Sequence, residues 1–199
     1  MPPRGILCNV TRDFEDAPNL TGKLLIAEPM LEDPNFERSV VLLIEHSEDG
    51  ALGVVLNRPT DIDVGAVLEQ WGSLATDPPV LYVGGPVSQD SLVALGRRRS
   101  GRDVEGWTQV LGDLGAVDLH LEPAELAPGL DGIRVFIGYS GWDAEQLEAE
   151  LAQDAWVVVD AEVSDVFASD PETMWRAVLR RQGGKLARLA NFPPHPSVN

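Results

Sequence analysis

The chain has little of what most specialised functions require. Cys8 is its only cysteine, so it can form neither an intrachain disulfide nor a thiolate metal cluster, and we expect a reducing compartment. No apolar run approaches the ~18 residues that cross a bilayer. Met1 to Gly5 also lacks the apolar core of a signal peptide. The expectation is a cytoplasmic protein with no membrane association. Positive charge is scarce: 15 Lys and Arg stand against 32 Asp and Glu, for a formal charge of −17. Such a surface repels phosphate backbones at long range, so no direct nucleic-acid binding is expected. Only Lys23 and Lys185 are lysine; the other basic residues are arginines, whose planar fork suits fixed, bidentate pairing. His120 lacks a second histidine at ligand spacing, and no metal site, cofactor motif or phosphate loop is read. Repeats and low-complexity linkers are absent, so the 199 residues read as one domain over 20–191. A flexible arm, residues 1–19, precedes it and a loose tail, residues 192–199, follows.

What is present is dense in strand signals. Three apolar runs, Leu24 to Ala27, Val40 to Ile44 and Ala51 to Leu56, read as strands. The last two form a hairpin across the polar loop from His46 to Gly50. Val40 to Ile44 is apolar on both faces and reads as a central strand. Gly53 predicts a bulge or a close neighbour, and Pro29 and Pro59 end strands. Asp63 to Trp71 predicts a helix stopped by Gly72, with Val64, Val67, Leu68 and Trp71 as its buried stripe. Val80 to Val83 and Leu92 to Leu95 are strands around a tight turn at Gly84-Gly85-Pro86-Val87. Gly96 to Gly106 reads as a polar loop whose arginines, Arg97, Arg98, Arg99 and Arg102, pair with local carboxylates. Val110 to Leu121 holds weak strand pieces broken by Gly112 and Gly115.

The strand Ile133 to Ile137 is read as running through a turn, Gly138-Tyr139-Ser140-Gly141-Trp142, into a helix capped by Asp143, with Gln146 completing a capping box. Strand, Gly-x-Ser and helix is also the setting of a hydrolase nucleophile elbow. The elbow needs glycine two places after the serine, and that place is Trp142, so Ser140 reads as structural. Trp156 to Val159 is the last strand. Asp170-Pro171 opens a final helix with Met174, Trp175, Val178 and Leu179 buried, and Gly183 closes it.

Three segments together resemble the YqgE/AlgH family of bacterial proteins: Gly22 to Pro59 with its L-N-R-P ending, G-G-P-V at Gly84 to Val87, and R-V-F-I-G-Y-S-G-W followed by Q-L-E-x-E at Arg134 to Glu150. The resemblance implies an α+β domain, a mixed and largely antiparallel sheet curled like a barrel and flanked by helices. It also implies a cytosolic protein of unassigned activity, with a family label of transcriptional regulator that would fit an indirect role. It supplies no catalytic residues.

Two functional hypotheses follow. One is a non-enzymatic binding or regulatory protein, whose motif residues Arg38, Asn57, Arg58, Gly84, Gly85, Tyr139, Ser140 and Trp142 hold a small anionic ligand or a protein partner. The alternative is a hydrolase or transferase acting on a small anionic substrate, with His46 or an acidic residue as base, although His46 reads as an exposed loop residue. Assembly through sheet edges is a third possibility. Counting down the hairpin sets Arg38 opposite Arg58, with His46 on the order of 20 Å away. Facing arginines repel. Either Glu28, Asp33 or Glu37 bridges them as structural ion pairs, or they cradle a carboxylate or phosphate together with backbone N–H groups near Gly84-Gly85.

Overall fold

The computed structural model describes residues 19–193. In chain order the elements are β1 (Lys23–Ala27), β2 (Val40–Ser47), β3 (Gly50–Val55), β4 (Pro59–Asp63), α1 (Val64–Val67), β5 (Val80–Val83), β6 (Val87–Arg98), β7 (Trp107–Leu111) and β8 (Leu114–Val117). There follow α2 (Pro123–Leu126), β9 (Leu130–Asp143), α3 (Gln146–Ala152), β10 (Trp156–Asp160), α4 (Val163–Val166), α5 (Met174–Gln182) and α6 (Gly184–Leu189). Most of the sheet follows the order β10-β1-β2-β3-β9-β6-β8-β7 and curls into a half-barrel, the mixed α+β class expected from the sequence. β5 pairs β4 and runs parallel to β9, while every other strand pairing is antiparallel. The 14-residue β9 joins the two halves: β6 lies along one edge, and β3 and β5 share the other.

Period-two alternation sorts the side chains between the two faces. Leu24, Ile26, Val40, Leu42, Val54, Leu56, Leu95 and Phe136 point to the main core, which α5 roofs with Met174, Trp175, Val178 and Leu179. Each of these fully buried side chains contributes roughly 1.5–3 kcal/mol. The opposite face carries two flanking cores. Leu25, Val41, Leu43 and Val55 pack with Trp142, Leu147 and Trp156 under α3, and Ile133, Val135 and Leu130 pack with Val64, Trp71 and Leu126 at the other end. β2, apolar on both faces, lies between β1 and β3 as its composition implied.

Several local expectations are corrected. His46 belongs to β2, the hairpin connection is only Glu48-Asp49, and His46 is buried. A register shift between Leu43 and Glu45 reverses the alternation, so His46 rather than Glu45 faces inward. Tyr139 to Trp142 is strand, not turn: Gly138 at φ 64° makes a kink through which β9 continues. The helix read over Asp63 to Trp71 splits into α1 and a 3-10 turn over Glu69–Leu74. Gly72 approaches Gly65 so closely that a Cβ on Gly72 would stand 2.9 Å from the Gly65 Cα, and the segment folds back on itself. β6 extends to Arg98, over the first three residues of the stretch read as loop from Gly96 to Gly106. α3 begins at Gln146; the Asp143 N–H donates to the Gln146 side chain at 3.1 Å, which is half of the expected box. Asp170 caps a turn leading into α5, which starts at Met174. The arm carrying Cys8 falls, except for Asn19, outside the described residues. No helix among the described residues is long and apolar enough to cross a membrane.

Candidate functional site

The open end of the β2–β3 hairpin is wrapped by residues 33–39, where the Phe36 and Glu37 N–H groups donate to the Asp33 carbonyl at 2.9 and 2.7 Å. Phe36 drops to one face, stacked on Trp142 at 6.2 Å and edge-on to Trp156 at 5.4 Å. Arg38, at φ 52°, turns to the other, with its guanidinium 4.7 Å over the Trp175 ring. It donates to the carbonyls of Phe192 and Pro193. The Trp175 indole donates to the Ala27 carbonyl at 2.9 Å, so α5 fixes the platform under Arg38. Arg58 donates to the carbonyls of Pro34 and Glu37, each at a long 3.3 Å. Asn57 braces the loop: its Oδ1 accepts from the Val40 N–H at 3.0 Å and its Nδ2 donates to the Arg38 carbonyl at 2.9 Å.

The register of Val41 opposite Val55 and Leu42 opposite Val54, extended to the open end, sets Arg38 level with Arg58. The ion pairs expected there from Glu28, Asp33 or Glu37 do not form. Among the described residues, no carboxylate reaches salt-bridge distance of either guanidinium. Burial lowers the pKa of Arg38 and its neighbour Arg176 lowers it further, while Glu37 works in the opposite direction. Burial also lowers that of Arg58, against the raising influence of Glu37 and then Asp33. These arginines are thus partly desolvated and held by neutral oxygens.

Gly84 and Gly85 lie one strand away. Gly84 donates to the Ile137 carbonyl at 2.8 Å, and its own carbonyl accepts from the Val55 N–H at 2.9 Å and the Ser140 hydroxyl at 3.2 Å. Val83 donates to the Arg58 carbonyl at 2.9 Å, which joins this knot to the arginine end. Tyr139 is half-buried against the main core. The eight nominated residues therefore form three sets: Arg38, Asn57 and Arg58 at the hairpin end, Gly84, Gly85, Tyr139 and Ser140 in a backbone knot beside it, and Trp142 beneath Phe36.

His46 lies at the closed end of the same hairpin. Its Nδ1 accepts from the Leu20 N–H at 3.1 Å, so Nε2 carries the proton and donates to Glu148 at 2.8 Å. Both ring nitrogens are engaged in fastening β2 to α3 and to Leu20. Glu150 was not singled out from the sequence, where it reads as part of an acidic, exposed helix side. Its Oε2 accepts from the indoles of Trp142 and Trp156 at 2.9 and 2.8 Å, and its Oε1 accepts from Gln146 at 3.0 Å. Glu150→Ala is expected to cost about 2–4 kcal/mol by stranding two buried indole donors, and Glu150→Gln less than about half of that. Urea unfolding followed by tryptophan fluorescence measures both.

Among the described residues, no three His, Cys, Asp or Glu side chains are placed to hold a metal ion. A shallow groove of about 290 Å³ beside Trp71 and His120 contains none of the eight nominated residues.

These features define a class of single-domain α+β proteins, a curled half-barrel whose glycine, asparagine and serine motifs lock β2, β3, β5 and β9 together. A family model described as AlgH-like matches residues 24–187. The chain belongs to the AlgH-like family. It is similar to a UPF0301 protein of Streptomyces coelicolor, 52% identical over 91% of this chain and 96% of the relative. The crystal structure of protein DIP2367 from Corynebacterium diphtheriae superposes with a TM-score of 0.83 at 37% identity, covering 89% of this chain and 94% of the other. The solution structure of the AlgH protein from Pseudomonas aeruginosa does so with a TM-score of 0.66 at 34% identity, covering 90% of this chain and 98% of the other.

Proposed function

We propose that this chain is a non-enzymatic binding protein with an indirect regulatory role, which takes up a carboxylate or phosphate group at the open end of the β2–β3 hairpin. The observation that carries this reading is that Arg38, with Arg176 near it, and Arg58, level with Arg38 in register, bond only to neutral carbonyls among the described residues, on a chain with a formal charge of −17. In so acidic a protein carboxylates are plentiful, yet among the described residues none pairs with these arginines. An incoming anion relieves the repulsion between Arg38 and Arg176 and replaces long bonds from Arg58 with charge-assisted ones.

The non-enzymatic part is favoured by the two groups the sequence offers for catalysis. Ser140 is fully buried and donates to the Gly84 carbonyl, and His46 is held by Leu20 and Glu148. Neither is within hydrogen-bond reach of the other, as a nucleophile and its base must be.

Thermal unfolding in phosphate or acetate, against chloride at equal ionic strength, tests the site. A saturable rise in midpoint in the wild-type protein that is lost in Arg58→Ala is expected. An identical, salt-like response in both proteins would remove the proposal. Turnover on an ester and phosphoester panel, abolished by His46→Ala, would favour the enzyme instead.

A further inference from the structure

A second group of arginines lies at the other half of the sheet, independent of the hairpin end. Arg134 opens the R-V-F-I-G-Y-S-G-W segment and is 2% exposed, in the middle of β9. Its guanidinium lies 4.5 Å over the Tyr82 ring and donates to the carbonyls of Ala168 at 2.9 Å and Asp77 at 2.8 Å, and to the Thr76 hydroxyl at 3.4 Å. All of these acceptors are neutral, and the Arg134 Nε and the Tyr82 hydroxyl, both buried, have no partner among the described residues. Burial lowers the pKa of Arg134, against the raising influence of Tyr82 and Asp77, and a buried cation whose hydrogen bonds all go to neutral oxygens is costly to retain.

Arg97 supplies the second observation. Of the four arginines expected to pair with local carboxylates, Arg98 pairs with Asp113 at 3.5 Å and Arg99 with Asp131 at 3.0 Å, whereas Arg97 and Arg102 reach no carboxylate among the described residues. The Arg97 guanidinium lies 4.6 Å over Phe167, and its buried Nε has no acceptor among the described residues. Leu95 pairs with Arg134 and Arg97 with Gly132, so the two arginines share one face as diagonal neighbours, about 7–8 Å apart at Cα. Beside Arg97 is a cavity of about 50 Å³, lined by Thr76, Arg97, Asp131, Gly132 and Phe167, with Arg134 outside its lining. Thr76 links Arg134 to it, since it lines the cavity and receives the Arg134 bond. A Cβ on Gly132 would stand 2.5 Å from Thr76 Cγ2, so glycine there lets Thr76 sit close beneath this space.

We infer that this cavity binds one small oxyanion, a carboxylate or phosphate group, with the Arg97 fork as its ligand and buried Arg134 as a second fixed positive charge. Phe167 holds the Arg97 fork flat by stacking, and a planar fork accepts two oxygens at once. Asp131, tied to Arg99, is the like charge on the rim and limits affinity.

The test is thermal unfolding of the full chain with acetate and, separately, inorganic phosphate, each against chloride at equal ionic strength. The variants are Arg97→Met, Asp131→Asn and Arg58→Ala. Arg97→Met keeps the stem over Phe167 and removes the charge. At a hundredfold excess over Kd the wild-type midpoint should rise by roughly 5–10 °C. The part of that rise assigned here persists in Arg58→Ala, is lost in Arg97→Met, and saturates at lower anion concentration in Asp131→Asn. The relative response to acetate and phosphate says which source of oxyanion the cavity prefers. An Arg97→Met response equal to wild type, or a flat wild-type response to both anions, overturns the inference. Loss in Arg58→Ala alone would leave the hairpin site standing and remove this one.

Discussion

Gly85→Ala is expected to cost about 4 kcal/mol or more, enough to leave the domain largely unfolded. A Cβ at this position would stand 2.3 Å from the Tyr139 carbonyl carbon and oxygen and 2.5 Å from the Ser140 nitrogen. All three are backbone atoms of β9, which β3 and β6 fix on either edge. No side-chain rotation relieves the contact, so either β9 moves or the Gly84-Gly85 turn detaches and exposes the Val55 N–H it satisfies. Gly101→Ala is the control: it is also at positive φ, 76° against 157° at Gly85, but has no atom within 4 Å, and its expected cost is the ~1–2 kcal/mol of backbone strain alone. Urea midpoints of the two variants separate steric exclusion from strain. The motif glycines in this account are parts of the frame.

Arg134→Ala is expected to destabilise by about 3–5 kcal/mol. It deletes one of the largest fully buried side chains, leaves the Ala168 and Asp77 carbonyls without donors, and opens a void beside Tyr82. Arg134→Met fills most of that volume with an apolar chain and removes the buried charge, so its expected cost is about 1–3 kcal/mol. Denaturant unfolding gives both values. A Met variant as unstable as the Ala variant would mean that the two lost carbonyl partners dominate. A Met variant above wild type would mean that the cost of burying the charge exceeds what those bonds return.

The parts of the fold that could be read in advance are those in which identity alone fixes direction. Val40 to Ile44 is apolar at every place and can only be covered on both sides, and the stripe Met174, Trp175, Val178 and Leu179 fits one face of a helix. Reading failed where one residue changes the phase. The irregularity between Leu43 and Glu45 turns His46 inward, and a polar run gives no sign of it. Gly138 looked like an end and is a kink within a 14-residue strand. The candidate site was half legible. Register counting brought Arg38 level with Arg58, but the left-handed backbone at Arg38 sends its side chain to Trp175 rather than toward its neighbour. Arg134 enters the sequence reading only as part of a strand and a motif, with no burial assigned to it. Only the packing of Ala168 and Asp77 over it reveals a buried cation.

The most direct test of the claim that arginines without carboxylate partners are where this protein meets anions is a ¹H–¹⁵N spectrum of the arginine Nε–H groups, titrated with phosphate and then with acetate. Arg181, bonded to both oxygens of Asp165 at 2.7 and 2.9 Å, is the internal reference. The account predicts saturable shifts at Arg38 and Arg58, with the amides of residues 33–39 following them, while Arg181 stays in place. Shifts that grow linearly and equally at all arginines, Arg181 included, or no shift at Arg38 and Arg58, would contradict it.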